Sequence, residues 1–183
     1  MSIVISAVDC NRVLYVASDR RMTIPPGIQY DGCRKVYRLR PRVFFGMTGT
    51  LEPGLKVLEH LRKLRRRPLA DVFKETERIV TSIQDKLSVM ITGQDESGDF
   101  FIWQVNNQGE KKMADILGDC IAFSLSSTEN TDRFASYLNK LFDRDVPVEE
   151  AIKRTIAYAS KIDRSISPTY DLFKLKSDSQ QGG

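Results

Sequence analysis

The second residue of this sequence carries the most chemistry. Ser2 follows Met1, and its small side chain favours removal of that methionine. The mature chain would then begin with a serine bearing a free α-amine. An α-amino group titrates near neutrality, so it can take the proton from the serine's own hydroxyl and turn it into a nucleophile. Other routes to an activated nucleophile are poorly supplied. The chain holds one histidine, His60, in a helical pattern, which leaves no Ser-His-Asp or Cys-His triad and no histidine-based zinc site. Three cysteines, Cys10, Cys33 and Cys120, stand far apart with no metal-binding spacing. They read as reduced thiols of a cytoplasmic protein. No metal and no cofactor is expected.

A terminal nucleophile needs a terminus that is built into the fold. Two β-branched runs, 2–8 and 13–19, flank the polar Asp9-Cys10-Asn11-Arg12 and predict a hairpin starting at the second residue. Residues 20–32 contain Thr23-Ile24-Pro25-Pro26-Gly27 and read as a loop. Strands follow at 33–39 and 42–47, separated by Pro41, with a turn at Thr48-Gly49-Thr50. The period then changes. Leu51, Leu55, Leu58, Leu61 and Leu64 share one helical face. Pro68 ends that helix and opens another, marked by Val72, Phe73, Thr76, Ile79, Val80 and Ile83.

Strand patterns return at 87–92, 99–105, weakly near Lys112, and at 120–125. Ser127-Thr128-Glu129 offers caps for a third helix, and Pro147 with Glu149 and Glu150 starts a fourth. Residues 170–175 alternate as a last strand. Strands in clusters and helices in pairs predict an α+β fold with two sheet layers and two helix layers. One domain over 1–176 is expected, with 177–183 as a mobile polar tail.

Composition sets further bounds. Of 183 residues, 41% are hydrophobic and 28% charged, which suits a globular chain and not a disordered one. No signal peptide is read at the N-terminus, and no apolar run reaches membrane-spanning length, so a cytoplasmic location without membrane association is expected. The net charge of +4 owes much to Arg62-Lys63-Leu64-Arg65-Arg66-Arg67. That run reads as the solvated basic exit of a helix. No aromatic residue interleaves it, so nucleic acid is not an expected partner.

The segments Ala17-Ser18-Asp19-Arg20-Arg21, Arg34-Lys35-Val36-Tyr37-Arg38-Leu39 and Phe45-Gly46-Met47-Thr48-Gly49-Thr50, in this order after a hairpin, resemble the front half of a proteasome β-type subunit or its bacterial relatives. The element order over nearly the whole chain agrees. The resemblance implies a four-layer αββα sandwich of the N-terminal-nucleophile hydrolases, acting on peptide or protein substrates. It implies assembly into a homo-oligomeric ring and a possible unfoldase partner.

It also assigns roles. Asp19, Lys35 and Gly49 match the family's carboxylate, lysine and glycine, 16 and 14 positions apart as in the family. Lys35 would keep the neighbouring α-amine neutral by like-charge repulsion, with Asp19 holding the lysine. The Gly49 N–H would meet the developing oxyanion. Ser126 or Ser127, and Asp163 with Ser165, fall where the family orients its terminal amine. The loops at 20–32 and 47–51 would shape the substrate pocket.

The nucleophile departs from the pattern. Seventeen positions separate Ser2 from Asp19, one more than the family spacing. An ungapped register puts Ile3 in place of the nucleophile, and a one-residue shift turns every strand side chain to the opposite face. A one-residue bulge between Asp9 and Val13 restores Ser2, the favoured reading. The alternative is a catalytically silent subunit with an assembly role. A third possibility is a binding protein that uses the basic run at 62–67 on polyanions.

Overall fold

The computed structural model describes residues 2–24, 27–114, 116, 121–127 and 129–177. The hairpin at the start is present: β1 (Ile3–Val8) and β2 (Val13–Asp19) pair antiparallel, with Val4 opposite Ser18 and Val8 opposite Leu14. β1 is buried along its whole length, because it lies between a helix layer and a second sheet. A continuous apolar run is what a strand covered on both faces requires. Its sheet is completed by β10 (Ala122–Ser127) and β11 (Tyr170–Lys176), in the order β10-β1-β2-β11.

The second sheet holds β5 (Val36–Arg40), β6 (Val43–Gly49), β7 (Leu87–Gln94), β8 (Phe100–Asn106) and β9 (Lys111–Ala114), in chain order. Helices α1 (Leu51–Lys63) and α2 (Leu69–Thr81) cover its outer face. Helices α3 (Thr131–Phe142) and α4 (Val148–Ile162) cover the first sheet. The four layers expected from the sequence are thus in place, with three apolar interiors between them. Among the described residues, no helix is long and apolar enough to cross a membrane.

Strand parity sorts side chains between these interiors. Ile3, Ile5 and Ala7 of β1 face Phe134, Leu138, Ile152 and Ile156 of the helices. Val4 and Val8 face the other sheet, against Val36, Phe44 and Met90. Ser6 shares that inward face, and its hydroxyl lies 2.9 Å from that of Thr92, which donates to the Phe101 carbonyl. Thr92→Val strands the Ser6 hydroxyl in a dry interior, at about 1–3 kcal/mol. Thermal unfolding is expected to show it as a loss of about 2–4 °C for each kcal/mol.

The two sheets approach closely at one point. A Cβ on Gly46 would lie 2.8 Å from a Val4 methyl. Gly46 therefore lets β1 settle against β6, which brings the start of β1 to the end of β6.

Several local expectations are corrected. The segment 20–32 contains a two-stranded hairpin, β3 (Arg21–Ile24) with β4 (Ile28–Asp31), where a loop was expected. Leu55 is 37% exposed, and the buried face of α1 is Gly54, Val57, Leu58 and Leu61. The N-cap of α3 is Asn130 in the left-handed region, one residue beyond the Ser-Thr-Glu expected to supply it. Pro147 takes the cap position of α4 instead of its first turn. Cys120 and the residues of the tail from 178 onward lie outside the described residues.

Candidate functional site

Asp19 sits at the end of β2 and is fully buried. A buried carboxylate needs donors, and four converge on it. Its Oδ1 accepts the Ile3 backbone N–H at 2.9 Å and the Lys35 ammonium at 2.7 Å. Its Oδ2 accepts the Arg21 and Ser167 backbone N–H groups at 2.9 and 3.2 Å. One side chain thus fixes the start of β1, the start of β3, the strand-entry lysine and the segment after α4.

Lys35 lies just before β5, one residue outside the strand expected to carry it, and is 5% exposed. Burial pushes its ammonium below the usual lysine range, and Asp19 pulls it part of the way back. A desolvated cation is thereby held at the floor of a cavity of about 570 Å³, which Ser2 also lines.

Ser2 is 2% exposed. Its Oγ accepts the Gly49 backbone N–H at 3.3 Å. The turn of the first hairpin is tight. Asp9 and Val13 close it, the Asp9 carboxylate takes the Val13 N–H, and Arg12 adopts a left-handed backbone with φ 54°. Three residues make the loop, and the β1–β2 ladder runs without a shift from it. The bulge expected between Asp9 and Val13 is therefore absent from the ladder, and the two residues are joined by the three-residue loop Cys10-Asn11-Arg12. Ser2 shares the parity of Val4 and points to the interface between the sheets.

Gly49 ends β6 with φ 104°, a conformation open mainly to glycine. A Cβ there would sit 2.0 Å from the Lys86 carbonyl oxygen. Gly49→Ala must move the strand end, and with it the N–H aimed at Ser2. It is expected to lower the thermal midpoint, since a Cβ 2.0 Å from a backbone oxygen forces the end of β6 to shift. A thermal scan beside the parent chain checks it.

The remaining expected residues divide. The Ser126 hydroxyl lies 2.9 Å from that of Thr48, both buried, beside Gly49. Ser127 instead donates to the Glu129 carbonyl and is drawn to the approach of α3. Of the two serines, Ser126 shares the face of Val4 between the sheets. Asp163 caps the end of α4, where its Oδ1 accepts the backbone N–H and hydroxyl of Ser165 at 2.8 and 2.6 Å. Its Oδ2 is buried with no donor among the described residues. Ser165 therefore orients Asp163 and leaves one carboxylate oxygen free to accept.

Ser167 and Thr48 had not been singled out from the sequence. Ser167 docks the segment after α4 on Asp19, and its hydroxyl pairs with Thr169. Pro168, next to Ser167 in the sequence, is the one local signal of a turn there. His60 pairs with Glu75 at 2.9 Å, away from the site. Among the described residues, no group of His, Cys, Asp and Glu could hold a metal ion.

Comparison with protein-family models finds no match, and comparison with curated proteins finds none. The fold is similar to the crystal structure of eukaryotic HslV from Trypanosoma brucei, at TM-score 0.76 and 16% sequence identity, covering 95% of this chain and 99% of that one. That likeness places the architecture among the proteasome-like αββα folds.

Proposed function

We propose that this chain is a proteasome-like N-terminal-nucleophile peptidase, with Ser2 as nucleophile once Met1 is removed. The observation that carries the proposal is the Gly49 N–H directed at the Ser2 hydroxyl, in a cavity that Ser2 shares with Lys35. The α-amine of Ser2 takes the hydroxyl proton, and Oγ bonds to the substrate carbonyl carbon. The oxyanion forms on the oxygen of that same carbon, two bonds from Oγ and within reach of the same Gly49 N–H. The amide C–N bond then breaks, and the amine hands the proton to the leaving nitrogen. Water hydrolyses the resulting ester and restores Ser2.

Lys35 keeps the amine neutral, and Asp19 holds Lys35. The free Oδ2 of Asp163 and the Ser126 hydroxyl are the acceptors assigned to the amine. The cavity beside Ser2 is walled by Met22, Ile24, Met47, Leu51 and Leu55. Such a wall suits a large apolar substrate side chain. The proposal extends to a homo-oligomeric ring in the cytoplasm, supported by the apolar Ile24, Ile28 and Tyr30 that the β3–β4 hairpin leaves exposed.

Intact-mass spectrometry of the purified chain, before and after a β-lactone, tests the proposal. Loss of Met1 and a single adduct on Ser2 are expected. Retention of Met1 with no adduct would leave a silent assembly subunit as the better description.

A further inference from the structure

The basic run at 62–67 is not part of the site above, and the fold gives it a shape. α1 ends at Lys63 and turns through Leu64, which places Arg62, Arg65 and Arg66 against the β5–β6 connection. Together with Arg38, Arg40, Leu39 and Pro41 they enclose a cavity of about 630 Å³. Its position is the far end of β6 from Gly49. Seven residues of strand put it on the order of 20 Å from Ser2.

The charges there are largely uncompensated. Arg40 donates to the Arg67 carbonyl and meets Glu96 at 3.3 Å. Among the described residues, no carboxylate pairs with Arg38, Arg62, Arg65 or Arg66. Arg38 lies instead over the Phe44 ring, at 5.9 Å. Arg62, Arg65 and Arg66 thus present guanidinium forks with no carboxylate partner among the described residues, an array suited to planar oxyanions.

We propose that this arginine cup binds a carboxylate-rich peptide segment of a partner protein. The lining favours such a peptide over nucleic acid. Among the described residues, no aromatic side chain lines the cup to stack a base. Leu39 and Pro41 give the cup an apolar part, which suits an aliphatic side chain set between two carboxylates.

The test uses the full chain and a fluorescein-labelled peptide of alternating glutamate and leucine, read by anisotropy. A single-stranded oligothymidylate of matched charge is the comparison. Binding of the peptide is expected, weakening several-fold as salt rises from about 50 to 200 mM. The double variant Arg62→Glu with Arg66→Glu is expected to weaken it at least about tenfold, because two exposed ion pairs become repulsions. Both residues are exposed, so the thermal midpoint should hold, and cleavage of a small peptide substrate should be unchanged. Equal binding by the variant, or no binding at low salt, would overturn the proposal. Tighter binding of the oligothymidylate would overturn it in favour of a nucleic-acid surface. A shift of the native mass that the variant abolishes would assign the cup to a second copy of the chain.

Discussion

Ser2→Ala is expected to abolish peptide hydrolysis, with a loss of at least about 10³-fold, and to end labelling by a β-lactone. The fold should survive. The hydroxyl removed has one partner among the described residues, the Gly49 N–H at 3.3 Å, and that bond is long. A long hydrogen bond at the edge of a cavity contributes at most about 1 kcal/mol to stability. Activity and stability therefore separate cleanly in this variant. Ser2→Thr makes the complementary case. A β-branched residue restricts χ1 and would hold the hydroxyl in one well, and the cavity beside Ser2 has room for a methyl. Threonine is expected to retain hydrolysis, with the adduct mass moved by the added methyl. An active Ser2→Ala variant would remove Ser2 from the mechanism altogether.

Much of this was legible from the sequence because strand patterns are local. The run 3–8 has no polar alternation beyond Ser6, and a strand buried on both faces is the simplest structure it can make. Asp19, Lys35 and Gly49 lie at element ends, where the residue type already states a need: a carboxylate, a cation and a glycine at positive φ. The misreadings share a different cause. The hairpin at 21–31 reads as a loop because Pro25, Pro26 and Gly27 dominate its composition, while β4 is exposed throughout, β3 is only half-buried at its start, and neither carries a hydrophobic period. Leu55 fits the α1 stripe by spacing, yet it lines the cavity at the start of α1, while Gly54, Val57 and Leu58 turn to the core. Ser126 and Ser127 could not be separated without the pairing of β1 with β10. Val4 lies opposite Ser126 and Ile3 opposite Ser127, which puts only the first on the face between the sheets. Ser167 acts through its backbone N–H on Asp19, a contact between residues 148 apart.

Asp19→Asn is expected to damage the protein more than Lys35→Met, although the aspartate touches no substrate. Each Asp19 oxygen accepts two donors. An asparagine supplies one carbonyl oxygen, so its amide nitrogen must face two N–H groups in a fully buried position. The Lys35 ammonium is also left without its counter-charge. Breaking a buried pair in this way costs about 3–5 kcal/mol, or roughly 10 °C in thermal midpoint for a chain of this size. Lys35→Met leaves the carboxylate with its three backbone donors and fills the same volume, so the loss should fall at the low end of that range. The two variants also differ in pH dependence. Burial holds the Lys35 ammonium below its ordinary 10.5. Between that depressed value and 10.5 the unfolded chain binds the proton that the folded chain has released, so stability gains from this group as pH rises through the window. Lys35→Met removes that gain, and its stability–pH curve should be flatter on the alkaline side. In the activity profile the same variant loses the charge that keeps the Ser2 amine neutral, and the acid limb should move up toward the ordinary α-amine range of about 7.7–8.0. A flattened alkaline stability curve with an unmoved acid limb would confine Lys35 to holding the fold and leave the amine to be tuned by other groups.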